Sequence, residues 1–170
     1  DNTLEKNIPA ELYAKFEEIV KPLGITSEIY NKFKPWYAAL LVQNLQLAQN
    51  SYNANLGIDL FFLSKAKGFK PVDEIEGIKF QVDMFDSFSK ELQLQYLTGA
   101  LHPDQQVQEE QMEIVNSMMS AWKKGDAEEL AKLVKSEEEA TSAEEKEFNE
   151  KMWTTRNDNM TEKVKAYLAD

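Results

Sequence analysis

The sequence predicts a mainly α, bundle-like single domain spanning residues 1–170, with one short strand at about 71–75. Three observations predict it. Apolar residues recur at helical spacing along nearly the whole chain. Glycines and prolines at 9, 24, 35, 57, 68, 77, 103 and 125 fall where helices start or stop. Only between 57 and 88 does the pattern change to helix, stop, strand, helix. With 170 residues, 42% of them hydrophobic and 11% aromatic, the chain can bury about 70% of its unfolded surface, enough for one core.

The elements follow in order. Pro9 stands at a first helical turn, with Leu12, Phe16, Ile19 and Val20 on one face until Gly24. Thr26 or Ser27 can cap a short helix carrying Ile29, Tyr30 and Phe33. Pro35 opens a third helix through Trp36, Leu40, Leu41 and Leu45, and residues 50–55 form a polar break. Gly57 and Asp59 open an apolar helix containing Leu60, Phe61, Phe62 and Leu63, which Gly68 is placed to end. The stretch 70–76 reads as the strand, with Pro71 at its start where no ladder donor is needed. Gly77 begins the helix 78–88, and another spans 90–101. After Pro103 a long helix with Met112, Val115, Met118, Met119 and Trp122 runs to Lys124. Gly125 stops it, and Asp126 and Glu129 are spaced as a capping box. A polar, acidic stretch at 136–147 contains a second such box, Ser142 and Glu145. The last helix carries Phe148, Met152, Trp153, Met160, Val164, Tyr167 and Leu168. The aromatics Trp36, Phe61, Phe62, Phe80 and Phe85 and the Met cluster are expected in the core.

Charge and composition narrow the functional classes. The net charge is −11, and no basic patch stands out to hold a phosphate backbone, so nucleic acid is not an expected partner. No run approaches the roughly 18 apolar residues of a membrane span. The chain has no cysteine and a single histidine, His102. Thiolate ligands and cysteine nucleophiles are therefore absent, and one histidine cannot build a histidine-rich metal site. No metal ligands and no cofactor are assigned to this chain. His102, followed by Pro103 and Asp104, reads as a helix-terminal turn. Asn159, Met160 and Thr161 match a glycosylation sequon inside a predicted helix, and chance explains it better. Glu137, Glu138 and Glu139 read as a solvated helix end.

Several short motifs occur together. Gly57-Ile58-Asp59, then Ala66-Lys67, Lys70-Pro71-Val72, Ile75-Glu76 and Gln81 form one. Lys34-Pro35-Trp36-Tyr37-Ala38-Ala39, Trp122-Lys123-Lys124-Gly125-Asp126 and Arg156-Asn157 form three more. In their order and spacing they resemble the TraB/PrgY/GumN family, which includes the Tiki-type membrane metalloproteases. The resemblance covers roughly residues 8–168. It implies that the chain is the helical middle of a larger α/β fold. The family brackets this region with two GxxH motifs, and the string Gly99-Ala100-Leu101-His102 is not in either place.

Two candidate site residues stand out. Glu76 lies at the carboxyl end of the expected strand, where α/β folds place ligands. The other reading is a surface or capping acid in a chain with 30 acidic residues. Arg156 can clamp a carboxylate with paired donors, or serve as an ordinary i,i+4 partner. The resemblance implies catalytic roles for Glu76 and Arg156, which must then share one face, and binding roles for Asn157 and Gln81. It implies a bacterial, extracytoplasmic metal-dependent hydrolase acting on peptides, with Mn, Co or Zn in the full-length parent. This chain would then be the helical, substrate-side region, inactive alone and completed by flanking segments of the same domain or by a second copy. The alternative is a non-enzymatic helical module binding a peptide or partner helix, as the pheromone-shutdown members suggest.

Overall fold

The structure, a computed structural model, describes residues 3–49, 53–102, 105–135 and 142–169. The first helices are short because the chain keeps punctuating them. Helix α1 (Leu4–Asn7) is followed by α2 (Ala10–Val20), a 3₁₀ turn (Lys21–Leu23) and α3 (Ser27–Tyr30). Gly24 closes the turn at φ 75°, a left-handed conformation that glycine adopts without a Cβ penalty. Asn31 ties the start of the chain down: its backbone oxygen accepts the Leu4 amide at 3.0 Å, and its side chain accepts the Glu5 amide at 3.2 Å. Both amides belong to the first turn of α1 and have no partner within the helix.

Helix α4 (Pro35–Gln49) lies along α7 (Lys90–Leu101). Ala38, Ala39 and Val42 are buried on α4, as are Leu97, Ala100 and Leu101 on α7, and the small residues allow the two backbones to approach closely. Leu4, Ile8, Leu12, Phe16, Val20 and Tyr30 complete this core. Two polar ties cross the packed face. Gln46 Nε2 donates to the Ala100 carbonyl at 3.0 Å, and the Tyr96 hydroxyl donates to Gln43 Oε1 at 2.7 Å.

A smaller core lies at the corner between α6 (Ile78–Asp86) and α7. Met84, Phe88 and Leu92 are buried there against Phe85, Phe148 and Met152. Phe148 belongs to α10 (Ala143–Asn149). A π-turn (Glu150–Thr154) joins α10 to α11 (Thr155–Ala169). The expected Ser142–Glu145 capping box is complete, each residue bonding the other's backbone amide at 3.0 Å.

Helix α8 (Gln105–Lys124) ends at Gly125, φ 70°, before α9 (Ala127–Lys135). The Asp126 amide bonds the Ala121 carbonyl at 2.9 Å and the Gly125 amide bonds that of Trp122 at 3.1 Å, which is a Schellman closure. The expected box at Asp126 and Glu129 is half made. Asp126 Oδ1 accepts the Glu129 amide at 3.0 Å, but the Asp126 amide is already committed to Ala121.

The expectation for 53–82 needs correction in three respects. No strand forms among the described residues. The stretch 71–77 is non-helical, and no backbone hydrogen bond pairs 71–76 with any described segment. Val72 and Ile75 are β-branched, as strands favour, but a strand exists only through a ladder partner. Gly68 is needed at φ 81°, yet it sits in a turn beyond α5 (Ile58–Ala66) and not at the helix cap. With Lys67 at φ −54°, ψ 117° and the Phe69 amide on the Ala66 carbonyl at 2.9 Å, this is a type II turn. Nor are the α5 aromatics core residues. Phe61 is 53% and Phe62 62% exposed, and α5 buries no residue. Phe80 and Met119, also expected in the core, and Trp122, expected in α8's apolar face, are exposed as well. No helix among the described residues is long and apolar enough to cross a membrane. Residues 50–52, Pro103, Asp104 and the acidic run 136–141, with Glu137, Glu138 and Glu139, lie outside the described residues.

Candidate functional site: a forked arginine–glutamate pair

Glu76 and Arg156 meet. Arg156 Nε donates to Glu76 Oε1 at 2.8 Å and Nη2 donates to Oε2 at 2.6 Å, a two-pronged pairing across 80 residues of sequence. Gln81 Nε2 adds a third donor to Oε2 at 3.0 Å. The Glu76 side chain retains 9% of its exposure and Arg156 21%, so the pair is largely withdrawn from water, where a charge without a partner would be costly. Hydrogen bonds from Arg156 hold the Glu76 carboxyl below the usual carboxylate range; burial opposes them and Gln81 adds to them. Glu76 in turn raises the Arg156 pKa.

Local structure explains each position. Glu76 directly precedes Gly77, the N-cap of α6, and Gln81 follows one turn inside that helix. A carboxylate at this end also faces the positive pole of the helix dipole. Arg156 stands in the first turn of α11, just after the π-turn. Farther along α11, the Tyr167 hydroxyl donates to Asp73 Oδ2 at 3.1 Å. The segment 73–76 is therefore tied to α11 at both ends.

The α6–α7 corner holds α10 and α11 in place through groups that nothing in the sequence singled out. Glu147 accepts the Ser89 amide at 2.9 Å and the Ser89 hydroxyl at 2.6 Å. Lys151 donates to Glu147 at 2.8 Å and to the Ser87 carbonyl at 2.6 Å, and its ammonium stands 5.8 Å from the Phe88 ring centre. Burial raises the Glu147 pKa, but the Lys151 and Ser89 donors outweigh it and hold the carboxyl at about 2. On the other side, Asp86 at the end of α6 accepts the Trp36 indole N–H at 2.7 Å and pairs with Lys34 at 2.6 Å, while Trp36 stacks on Phe85 at 5.0 Å. Burial of Asp86 opposes its ionisation; Lys34 and Trp36 overcome it and lower its pKa. The Lys34-Pro35-Trp36 motif thus anchors the helix that presents Glu76.

The remaining candidates separate from the pair. Asn157 is exposed, and its side chain makes no hydrogen bond among the described residues. His102 follows α7 and neighbours α2: Lys15 Nζ lies 2.6 Å from Nδ1, and Glu11 is 3.9 Å away. Among the described residues no three His, Cys, Asp or Glu side chains converge as a metal site would require. Both oxygens of Glu76 are committed to Arg156 and Gln81. These residues do not fit a metal centre. What the arrangement can do is present a guanidinium in a fixed direction. Arg156 Nη1 makes no hydrogen bond among the described residues, so one face of the fork can meet a carbonyl or carboxylate.

Three of the four motifs fall on elements that this geometry ties together. Lys34 and Trp36 hold α6, the 57–81 motif carries Glu76 and Gln81, and Arg156 closes the pair. No curated protein and no solved structure matches the chain. The model of the TraB/PrgY/gumN family matches residues 1–170, and the chain belongs to that family.

Proposed function

We propose that this chain is the helical, substrate-side region of a hydrolase of the TraB/PrgY/gumN type acting on peptides, within a larger α/β fold. The observation that carries the reading is the forked Glu76–Arg156 pair, assembled from distant segments and largely shielded from water. In this reading Arg156 is the group that meets substrate. Its Nη1 takes a peptide carbonyl or terminal carboxylate, and Asn157, exposed at the next position, adds a polar contact. Glu76 aims the guanidinium, and Gln81 holds Glu76. As a proton acceptor Glu76 is weakened, because Arg156 stabilises its charged form. The reading places the protein outside the cytoplasm and assigns to this chain no metal and no bond-breaking step.

A second reading, a non-enzymatic module for a peptide or partner helix, is favoured by the exposed apolar residues of α5. The two are separated by titrating tri-alanine into the chain while following the Arg156 Nε–H and Asn157 side-chain NMR signals. The same peptide is then assayed for cleavage by the natural full-length protein with Mn²⁺, Co²⁺ or Zn²⁺. The hydrolase reading expects both signals to shift, and cleavage to fall at least tenfold in Arg156→Ala. Signal shifts without cleavage under any metal support the binding module. Unmoved signals, together with cleavage unaffected by Arg156→Ala, sink the assigned role of the pair.

A further inference from the structure

The pair needs Arg156 at a particular angle around its helix axis, and the helix reaches that angle through an irregular turn. Phe148 and Met152 face the corner core with Met84, Phe88 and Leu92. Glu147 and Lys151, on the same side, grip Ser87 and Ser89. These four residues fix the rotation of α10 and of the first residues of the turn that follows it. In an uninterrupted α-helix each residue turns ~100°, so Arg156, eight positions after Phe148, would stand ~80° away from it. The turn at Glu150–Thr154 is a π-turn, with the Thr155 amide bonded to the Glu150 carbonyl five residues back. Such a turn takes up one extra residue. It cancels ~100° of rotation and leaves Arg156 within ~20° of Phe148's direction. Met160, half-buried, then falls on this face as well, and farther along so does Tyr167, which reaches Asp73.

We propose that the π-turn Glu150–Thr154, anchored by Glu147 and Lys151 on the Ser87–Ser89 corner, is a positioning device that rotates Arg156 onto Glu76. The inference concerns how the pair is assembled and stands whether or not the pair does chemistry. The residues within the turn are positioning residues only. Trp153, 52% exposed, does not belong to the corner core and can be removed without opening it.

The test compares length changes that an ordinary helix would treat alike. Deleting Trp153 converts the π-turn to regular helix and leaves Arg156 facing as before. Inserting an alanine after Trp153 turns it away by ~100°. The readout is the Arg156 Nε–H resonance of the ¹⁵N-arginine-labelled chain, protected by its bond to Glu76. The protected Ser89 amide serves as the check that the corner is folded. The deletion should keep the Arg156 resonance, and the insertion should lose it. A length-preserving control moves the arginine by one position, Thr155→Arg with Arg156→Ala. With the π-turn in place, an arginine at 155 points elsewhere and no protected resonance returns. In an uninterrupted helix the same arginine would face Glu76. Loss of the resonance in a folded deletion variant, or its recovery in the double variant, overturns the proposal. If the deletion variant does not fold, the double variant decides alone.

Discussion

Phe16 and Phe62 are the same residue type on helices of similar length, and their surroundings are opposite. Phe16 is fully buried, edge-on to Tyr30 at 5.8 Å, inside the core that α2, α4 and α7 share. Phe62 is 62% exposed on α5, whose neighbours Ile58, Leu60, Phe61 and Leu63 are exposed too. The difference is not hydrophobicity. Around Phe16 the chain supplies a second and third helix, whereas α5 meets nothing comparable among the described residues. The region 53–86 is instead held by polar ties in its second half: Asp86 to Lys34 and Trp36, Glu76 to Arg156, and Asp73 to Tyr167. The first of these regions is stabilised by burial, and the second is placed by a few directed bonds.

Substitution at the two phenylalanines gives the largest contrast. Phe16→Ala should destabilise the chain by about 3–5 kcal/mol in urea unfolding, the cost of a large cavity. Equal sensitivity at Phe62 would show that α5 is packed after all; the expected change for Phe62→Ala is within ~0.5 kcal/mol. Between these extremes lie the polar ties. Arg156→Ala leaves Glu76 withdrawn from water without its partner and should cost roughly 1–3 kcal/mol. Arg156→Lys keeps the charge but not the fork, and should recover only part of that.

Glu147 sharpens the comparison through pH. Its folded pKa, about 2, lies below its ordinary value of 4.5. The unfolded chain therefore binds the proton more readily. The stabilisation is fully present above pH 4.5 and is lost as pH falls towards 2. Glu147→Gln should remove this part of the acid sensitivity and cost roughly 1–3 kcal/mol near neutral pH. Unfolding curves at pH 7 and pH 3 for both proteins measure it. A smaller effect than that of Glu147 is expected at the edge of the same unit. Ser142→Ala breaks the capping box and should cost ~1 kcal/mol.

Much of this was legible in residue order. The helix starts and stops at Gly24, Pro35, Gly57, Gly77, Gly125 and Ser142 carry local chemistry, so the sequence alone locates them. That Glu76 and Arg156 belong together was expected from the motif resemblance, and they do meet. Their catalytic roles are a separate matter and rest on the proposal above. What was not legible depends on partners. Val72 and Ile75 are β-branched and follow Pro71 as in a strand, but sequence pattern supplies no ladder. Phe61 and Phe62 have core-like spacing, but burial needs a facing surface. Glu147 and Asp86 gave no signal at all. Among so many acids, only three-dimensional proximity to Ser89, Lys151, Lys34 and Trp36 distinguishes them. The π-turn was equally hidden, since Met152 and Arg156 are spaced like neighbours on an ordinary helix.

The ion pair also closes a long circuit in the chain. Eighty residues separate its partners, and the entropic cost of bringing loop ends together grows with the logarithm of loop length. The α4–α7 contact and the α6–α7 corner shorten that path before Arg156 can find Glu76. The pair should therefore form after the rate-limiting step of folding. Arg156→Ala would then accelerate unfolding and leave the refolding rate nearly unchanged, with a kinetic φ-value near 0. In a stopped-flow experiment the fork becomes a clock for the final docking of α11.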